Sequence, residues 1–269
     1  MRRAARAAFT LLLAAPLAAL DAQRVTLEVR SRAGDTLHVS FEHSVTMAAG
    51  PVGKPDSTRS MTTTYRASTR DVIERVDASG ASLLAIIDSL RTRSSAPVSA
   101  PEPQARGVRV RLQIRPDGSS RITEGLQQLD PALRDMLGDM PPVLPSAPVA
   151  VGESWTRDLP LPADGSPNGT AGAGSLRATF RLDSLTDGGD RAWISAKGRV
   201  VPATPNDPAG AHLAGTLTGT MQIDRRRGWL SDWKATMTLD VTDGASGAAA
   251  PFLIRITVTQ QMHTAPAER

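Results

Sequence analysis

The sequence contains no cysteine, and this absence excludes disulfide-stabilised domains and lipoproteins anchored through an N-terminal cysteine. The fold must therefore be held together by burial alone. Aromatic residues are scarce as well, since the 269 residues include four Trp, four Phe and one Tyr. We expect a core of aliphatic side chains and Met, because a stacking platform for bases or sugar rings would need more rings than these.

Neither sign of charge is in large excess. The chain has 31 basic and 27 acidic residues, and Arg2, Arg3, Arg6 and Asp21 lie in the first 22 positions, which leaves a net charge of +2 on the remainder. A net charge this close to zero does not provide the basic surface that nucleic-acid binding needs. We therefore expect no nucleic-acid partner.

Motifs that carry chemistry are also missing. The four His residues show no metal-ligand spacing, and His38 and His43 fall on opposite faces of one predicted strand. No Gly-x-Ser-x-Gly turn is present, because Ser154 is not followed by the second glycine. We predict that the protein is not an enzyme and has no catalytic residue, metal ligand or cofactor. An enzyme would need converging polar groups, such as His43 beside a carboxylate in a pocket.

The first 22 residues have the pattern of a secretory signal peptide. Three arginines precede an apolar stretch from Ala7 to Leu20, and small residues follow, so we expect cleavage after Ala22. The apolar stretch is too short to span a bilayer comfortably. The mature protein is therefore predicted to be periplasmic or secreted, with no transmembrane anchor.

Alternation of apolar and polar residues dominates the remaining sequence and predicts antiparallel strands with one dry and one wet face. The polar positions are mostly Thr, Arg and Gln. The apolar stripes with this period of two are Val25–Val29, Leu37–Val45, Val108–Ile114, Leu176–Leu182, Leu217–Ile223, Trp233–Val241 and Phe252–Val258.

The same order of strands, turns and loops occurs twice along the chain. The step from a mid-unit turn to a hairpin glycine is 38 residues from Gly80 to Gly118 and 39 residues from Gly189 to Gly228. A repeat of this kind predicts two similar β units, although a chance match of turns in a loop-rich chain is the alternative. The predicted divisions are a signal peptide (1–22), a first β unit (23–128), a helix with a Pro-rich connector (129–147), a second β unit (148–264) and a disordered tail (265–269).

One amphipathic helix is predicted between the two units. Asp130 is suited to the N-cap and Pro131 to the first helical position, and the apolar stripe ends at Met140 before two prolines. The predicted fold class is mainly β (α+β). It is an antiparallel curled sheet or half-barrel, built from two similar units, with this helix packed on its dry face. The residues that share the apolar face of the helix are Leu126, Leu129, Leu133, Leu137 and Met140.

The string from Pro148 to Trp155, Pro-Val-Ala-Val-Gly-Glu-Ser-Trp, resembles the Pro-Val-x-Val-Gly-Asp/Glu-Ser-Trp motif of a family of exported bacterial proteins described as a domain of unknown function. Gly34-Asp35-Thr36 and the strand from Gly215 to Asp224 are similar to the first and last motifs of that family. The resemblance covers nearly the whole mature chain and implies a β-rich envelope protein with no known activity. Many members are lipoproteins with Met- and Lys-rich strands, whereas this chain lacks the lipid-bearing Cys and is Arg-rich.

A curled sheet crossed by a helix encloses an apolar groove, and such a groove holds an apolar molecule unless side chains fill it. We therefore predict a non-catalytic exported protein that binds a lipid or another apolar ligand between sheet and helix. The alternative is an envelope structural or interaction module with a filled core and no small-molecule ligand, whose partners use strand edges and loops. The predicted lining residues are Phe41, His43, Phe180, Trp233, Met237, Phe252, Leu133 and Leu137.

Three consecutive arginines, Arg225 to Arg227, lie in a predicted hairpin turn beside Trp229. One interpretation is docking to anionic headgroups, with the Trp229 ring at the interface. The other is a solvated turn, which we favour because charge runs of three are common.

Overall fold

The computed structural model of the protein describes residues 24–54, 57–96, 105–129, 134, 140–162, 171–202, 212–243 and 251–267. Within these ranges the structure is built from antiparallel strands and two short 3-10 turns, Leu126–Gln128 and Asp187–Gly189. The strands are β1 (Thr36–Pro51), β2 (Arg59–Asp77), β3 (Gly80–Ser94), β4 (Arg109–Ile114), β5 (Ser120–Glu124), β6 (Ser154–Pro162), β7 (Ala171–Thr186), β8 (Arg191–Pro202), β9 (His212–Asp224), β10 (Trp229–Asp243) and β11 (Phe252–Pro266).

All eleven strands form one sheet in the order β5-β4-β3-β2-β1-β11-β10-β9-β8-β7-β6. The sheet is open, because β5 and β6 are its two edges. The first and last strands of the chain, β1 and β11, lie side by side in its middle. Within each set of five strands, β1 to β5 and β6 to β10, consecutive strands are neighbours, and both sets run across the sheet in the same direction, as the predicted duplication requires. Strand β11 lies between the two sets. The duplication itself stays a prediction.

One face of the sheet is apolar across its full width. Residues paired directly between antiparallel strands point to the same side of a sheet, so the register identifies each face. The prediction of antiparallel strands with one dry face is confirmed. We call the dry side the inner face and the other side the outer face. One row of directly paired inner-face residues crosses eight of the strands, from β7 to β3: Leu182, Ile194, Met221, Trp233, Met262, Phe41, Ala67 and Leu90.

The sheet is rolled, so that its two edges approach each other at one end. In a flat sheet the ten steps between β5 and β6 would span about 48 Å. Instead, the connector residue Val143 reaches both edges. Its N–H donates to the Asp117 carbonyl in the β4–β5 turn at 3.2 Å, and its carbonyl accepts from Trp155 Nε1 of β6 at 2.7 Å. Such an approach requires strong curvature.

The segment before β1 and the connector before β6 close this end of the rolled sheet. Val25 pairs with Val149, the Val29 N–H donates to the Pro116 carbonyl, and the Arg30 N–H donates to the Gly228 carbonyl at 2.7 Å. Val25, Val149 and the neighbouring Leu27 are buried in the core of the second unit. Two short segments therefore tie together turns that belong to different units.

The predicted helix Asp130–Met140 lies outside the described residues, except for Arg134 and Met140. Three residues of its expected apolar stripe are described. Leu129 is buried, whereas Leu126 lies exposed in a 3-10 turn and Met140 is exposed and pairs with Ser120. At the other end of the chain, β11 runs to Pro266 and so extends into the segment predicted as a tail, because Leu37 of β1 pairs with it there.

Gly228 is expected to be essential for closing the rolled sheet. Its φ is +76° and an added Cβ would lie 2.1 Å from the Arg30 carbonyl oxygen, whereas Gly188, in the β7–β8 turn, has φ +68° and no atom within 4 Å of an added Cβ. Gly188→Ala should cost only the left-handed backbone strain, about 1 kcal/mol. Gly228→Ala should cost at least about 2 kcal/mol more, because the clash also breaks the bond to Arg30. Equal losses in urea denaturation would contradict this assignment.

Asp71 should make the fold less stable as pH rises. It lies on the inner face of β2, paired with Leu37 and Ala85. Burial raises the pKa of its carboxyl to about 6, although Thr69 donates a hydrogen bond of 2.7 Å. The folded state then holds a proton that the unfolded state releases near pH 4, so stability falls between about pH 4 and pH 6.

Replacing this carboxyl by an amide tests the effect. Asp71→Asn should raise the free energy of unfolding by up to about 3 kcal/mol at pH 7.5 and leave it unchanged near pH 3.5. Asp77→Asn, at the exposed end of the same strand, is the matched control and should give no gain at pH 7.5, since hydrogen bonds from Ser79 lower the pKa of Asp77. A gain from Asp71→Asn that did not depend on pH would refute the assignment.

Candidate functional site

The inner face is well packed on both flanks of the sheet. In the second unit, inner-face residues of β6 to β10 pack against Val25, Leu27, Leu144 and Val149. In the first unit, two smaller clusters bury inner-face residues of β2, β3 and β4, with Leu129 and Trp229 among their members. No member of these three clusters comes from β11, and β1 contributes only its first two inner-face residues, Leu37 and Val39.

The middle of the inner face is therefore partly open. Met47, Met61 and Phe252 are 39%, 42% and 43% exposed, and the neighbouring inner-face side chains are half-buried. From Met262 to Phe252 along β11 this surface measures about 34 Å, and its four strands span about 14 Å. We call it the inner band. Its residues are Phe41, His43, Val45, Met47, Met61, Tyr65, Trp233, Met237, Phe252, Ile254, Ile256, Val258 and Met262.

The pairing of β1 with β11 creates the inner band. The two strands match residue for residue from Leu37 opposite Pro266 to Pro51 opposite Phe252. Because both sequences alternate with a period of two, this register places Val45 opposite Val258 and brings two apolar stripes to one face. The band is thus made by the two strands that are farthest apart in the sequence.

A row of polar side chains crosses the inner band. Thr92, Tyr65, His43 and Gln260 are paired in that order on β3, β2, β1 and β11. Gln260 Nε2 donates to His43 Nδ1 at 3.3 Å, and the His43 ring lies 6.2 Å from the Phe41 ring and 6.4 Å from the Tyr65 ring. Burial lowers the pKa of His43, so the imidazole is neutral at pH 7. Thr92 Oγ1 is buried without a hydrogen-bond partner in the described part of the chain.

The structure brings together most of the predicted lining residues. Phe180 is an exception, because it is fully buried in the core of the second unit and stacks on Trp155 at 5.8 Å. Leu133 and Leu137 lie outside the described residues. The remaining five predicted residues lie in the inner band: Phe41, His43, Trp233, Met237 and Phe252.

The sequence reasoning missed the residues of β2 and most of the inner face of β11. Met61 and Tyr65 lie in a threonine-rich strand, where they are directly opposite Met47 and His43 of β1. A signal existed in the alternation of Met61, Thr63 and Tyr65. It could not be used, because the face that these residues share depends on which strand they pair with.

Other candidate groups have structural partners. Arg225 donates to the Gly189 carbonyl, and the guanidinium of Arg227 lies 5.5 Å from the Trp229 ring centroid, so two of the three consecutive arginines support the turn. His38 is exposed on the outer face, opposite to His43. No group of three His, Asp or Glu side chains in the described ranges is placed to hold a metal ion. The described part of the chain has no helix long and apolar enough to cross a membrane.

Comparison with known proteins gives no family. Neither a family model nor a curated protein matches the chain. A lipovitellin structure titled for its lipid–protein interactions aligns at 9% identity with a TM-score of 0.48, over 89% of this chain and 26% of that chain, so this chain spans about a quarter of lipovitellin. An outer membrane channel from Pseudomonas putida F1 aligns at 11% identity with a TM-score of 0.23, over 89% of this chain and 98% of that chain. DynF from the dynemicin biosynthesis pathway of Micromonospora chersina aligns at 8% identity with a TM-score of 0.13, over 90% of this chain and 85% of that chain. Likenesses this weak assign neither fold family nor function.

The imidazole of His43 should titrate below its ordinary pKa of 6.5, because burial in the inner band penalises the charged form. Its contribution to stability is then present at pH 7.5 and lost as pH falls below 6.5. His43→Gln should remove this part of the pH dependence. NMR titration of the four His side chains, with the His43 signal assigned by its loss in the variant, measures the pKa directly. A midpoint at or above 6.5 would show that the inner band is not an apolar environment.

Proposed function

We propose that this protein binds an elongated apolar ligand, of the lipid class, on the inner band. The observation that carries the proposal is the unequal packing of one continuous apolar face. Its flanks are buried by other segments of the chain, whereas its centre, formed by β1 and β11 with parts of β2 and β10, is left partly exposed.

The exposed part of this apolar surface is unfavourable in water. On a typical monomeric protein the largest contiguous apolar patch is about 300–600 Å² and is often functional. Covering such a surface contributes about 25 cal/mol per Å², or about 0.8 kcal/mol for each methylene group buried. The band lies on the inner side of a rolled sheet, so its shape favours a small or chain-like molecule over a second copy of the protein.

The polar row favours a ligand with one uncharged polar group. His43 is neutral, Gln260 donates to it, and Thr92 Oγ1 has no partner among the described residues. A hydroxyl or an ester carbonyl within an otherwise apolar molecule would satisfy such groups. A carboxylate would be unfavourable there, because no described cation lies in the row to pair with it.

We further propose that binding is not followed by chemistry. Among the described residues, the ring and hydrogen-bond contacts of His43 are with Phe41, Tyr65 and Gln260, none of which is a carboxylate that could orient a general base. The signal-peptide pattern and the resemblance to exported bacterial proteins support an envelope or secreted location for this binding.

A charge placed in the inner band should abolish uptake of apolar molecules. Val45 and Val258 face each other in the middle of the band, whereas Thr46 lies on the outer face of the same strand. Val45→Asp should weaken binding of the neutral fluorescent probe N-phenyl-1-naphthylamine at least tenfold, about 1.4 kcal/mol, because a carboxylate is poorly solvated there. Thr46→Asp is the matched control and should bind as the unchanged protein does. Probe fluorescence titration measures both affinities.

Native mass spectrometry of the purified protein complements the titration. We expect a co-purified apolar molecule on the unchanged protein and its loss in Val45→Asp. Absence of any such molecule, together with no probe uptake, would reject the lipid proposal and favour the interaction module with a filled core. Equal uptake by both variants would place the apolar site elsewhere.

A further inference from the structure

The outer face carries a groove that the proposed lipid site does not use. It has a volume of about 420 Å³ and crosses the sheet from β8 to β2. On β1, β9, β10 and β11 it is lined by pairs of outer-face residues that flank a single inner-face residue, such as Gln261 and His263 around Met262. This pattern places the opening on the outer face, with the strand backbone as its floor.

One row of directly paired side chains runs along the groove. Trp193 is opposite Gln222, Gln222 is opposite Asp232, Asp232 is opposite His263, and His263 is opposite Ser40. His263 Nδ1 and Asp232 Oδ1 are hydrogen-bonded at 2.8 Å. The row therefore begins with an indole ring and continues with an amide, a carboxylate, an imidazole and a hydroxyl, which together offer both donors and acceptors of hydrogen bonds.

Trp193 is unlike the other three tryptophans. The Trp155 indole donates to Val143 and stacks on Phe180, Trp229 is buried, and Trp233 packs against the core of the second unit. Trp193 is 42% exposed on the polar side of the sheet. Within the described part of the chain no hydrogen bond or ring contact of its indole is found. A large aromatic ring in that position presents an unused apolar surface to the groove.

Gln222 provides a second, independent sign of a missing ligand. Its side chain is only 4% exposed, and Nε2 has no hydrogen-bond partner among the described residues. A buried amide left unpaired costs about 1–3 kcal/mol. The residues directly opposite it are Trp193 and Asp232, so the orphan donor lies between the aromatic end and the polar end of the groove.

The lining of the groove carries no large excess of one charge. Glu42 accepts from Arg66 at 2.8 Å, Asp232 is paired with His263, and Lys234 is one further cation of the lining. A groove without a strong net charge does not select an anionic or cationic ligand by long-range attraction. Recognition would instead depend on an apolar face against Trp193 and on neutral hydroxyl or amide groups against the polar row.

From this arrangement we infer that the outer groove binds a neutral saccharide chain. A pyranose ring has an apolar face that stacks on an indole and a rim of hydroxyl groups that both donate and accept. The scarcity of aromatic residues argues against a platform of several rings, but here a single ring is combined with a row of hydrogen-bonding groups and a buried unpaired donor. One stacking ring and a few hydrogen bonds support modest affinity, with a Kd of about 0.1–1 mM.

Titration with three uncharged tetrasaccharides, cellotetraose, maltotetraose and chitotetraose, tests the inference. In two-dimensional NMR spectra of the indole N–H groups, at least one of them should shift the Trp193 signal more than those of Trp155, Trp229 and Trp233. Trp193→Ala should weaken binding at least tenfold, and Gln222→Leu, which keeps the buried volume, about fivefold. Trp193→Phe should retain part of the affinity, because a smaller ring still stacks.

Lys197→Ala is the matched control, since Lys197 lies on the outer face of β8, the strand that carries Trp193, but outside the groove. It should bind the tetrasaccharide as the unchanged protein does. Uptake of N-phenyl-1-naphthylamine should be unaffected by Trp193→Ala, which shows that the variant is folded and keeps the two sites distinct. No indole shift with any of the three tetrasaccharides at about 10 mM, or equal binding by Trp193→Ala, would overturn the inference.

Discussion

The pairing of β1 with β11 is the constraint on which the rest of the structure depends. Without it, two runs of hairpins would each present an open edge in the middle of the fold, and exposed edges invite pairing with other chains. With it, eleven strands form one sheet with one apolar face. A chain with no disulfide gains its long-range order from this ladder and from the segments around Val25 and Val143 that draw the two edges together.

Much of the local structure could be predicted from sequence, because strand period and turn chemistry are local properties. The alternation in Leu37–Val45 and Phe252–Val258 identified the inner face of β1 and β11, and Gly118 and Gly228 marked two of the hairpin turns. The pairing partners of these strands could not be predicted in this way, because the sequence of a single strand does not specify which strand it pairs with. Phe180 was predicted to line the ligand site because it lies in an alternating apolar stripe, as Phe41 does. Its ring instead stacks on Trp155 and is buried in a packed core.

The two faces of the sheet follow from the same alternation, yet they offer different chemistry. On the inner face, pairing places Val45 against Val258 and leaves an apolar surface with a few neutral polar groups. On the outer face, the neighbouring positions carry hydroxyls, such as Ser44 and Thr64, which hydrogen-bond to each other at 3.0 Å. The ion pair of Arg255 with Asp240 lies on the same face. Trp193 and the amide of Gln222 are informative because they differ from these pairs: Trp193 is 42% exposed, and Gln222 Nε2 is buried without a hydrogen-bond partner among the described residues.

The location of the inner band has a physical reason in the order of the strands. The second unit is covered by the segments around Leu27 and Leu144, and the first unit is covered in part by Ala105 and Leu129. The segment around Leu27 comes from before β1 and that around Leu144 from the connector before β6, and both pack on the second unit, whereas Ala105 and Leu129 pack on the first. β11 lies between the units and has no described segment of its own to cover it. A sheet built from two packed units and one joining strand is thus left open at the join, and that is where an apolar molecule would complete the core.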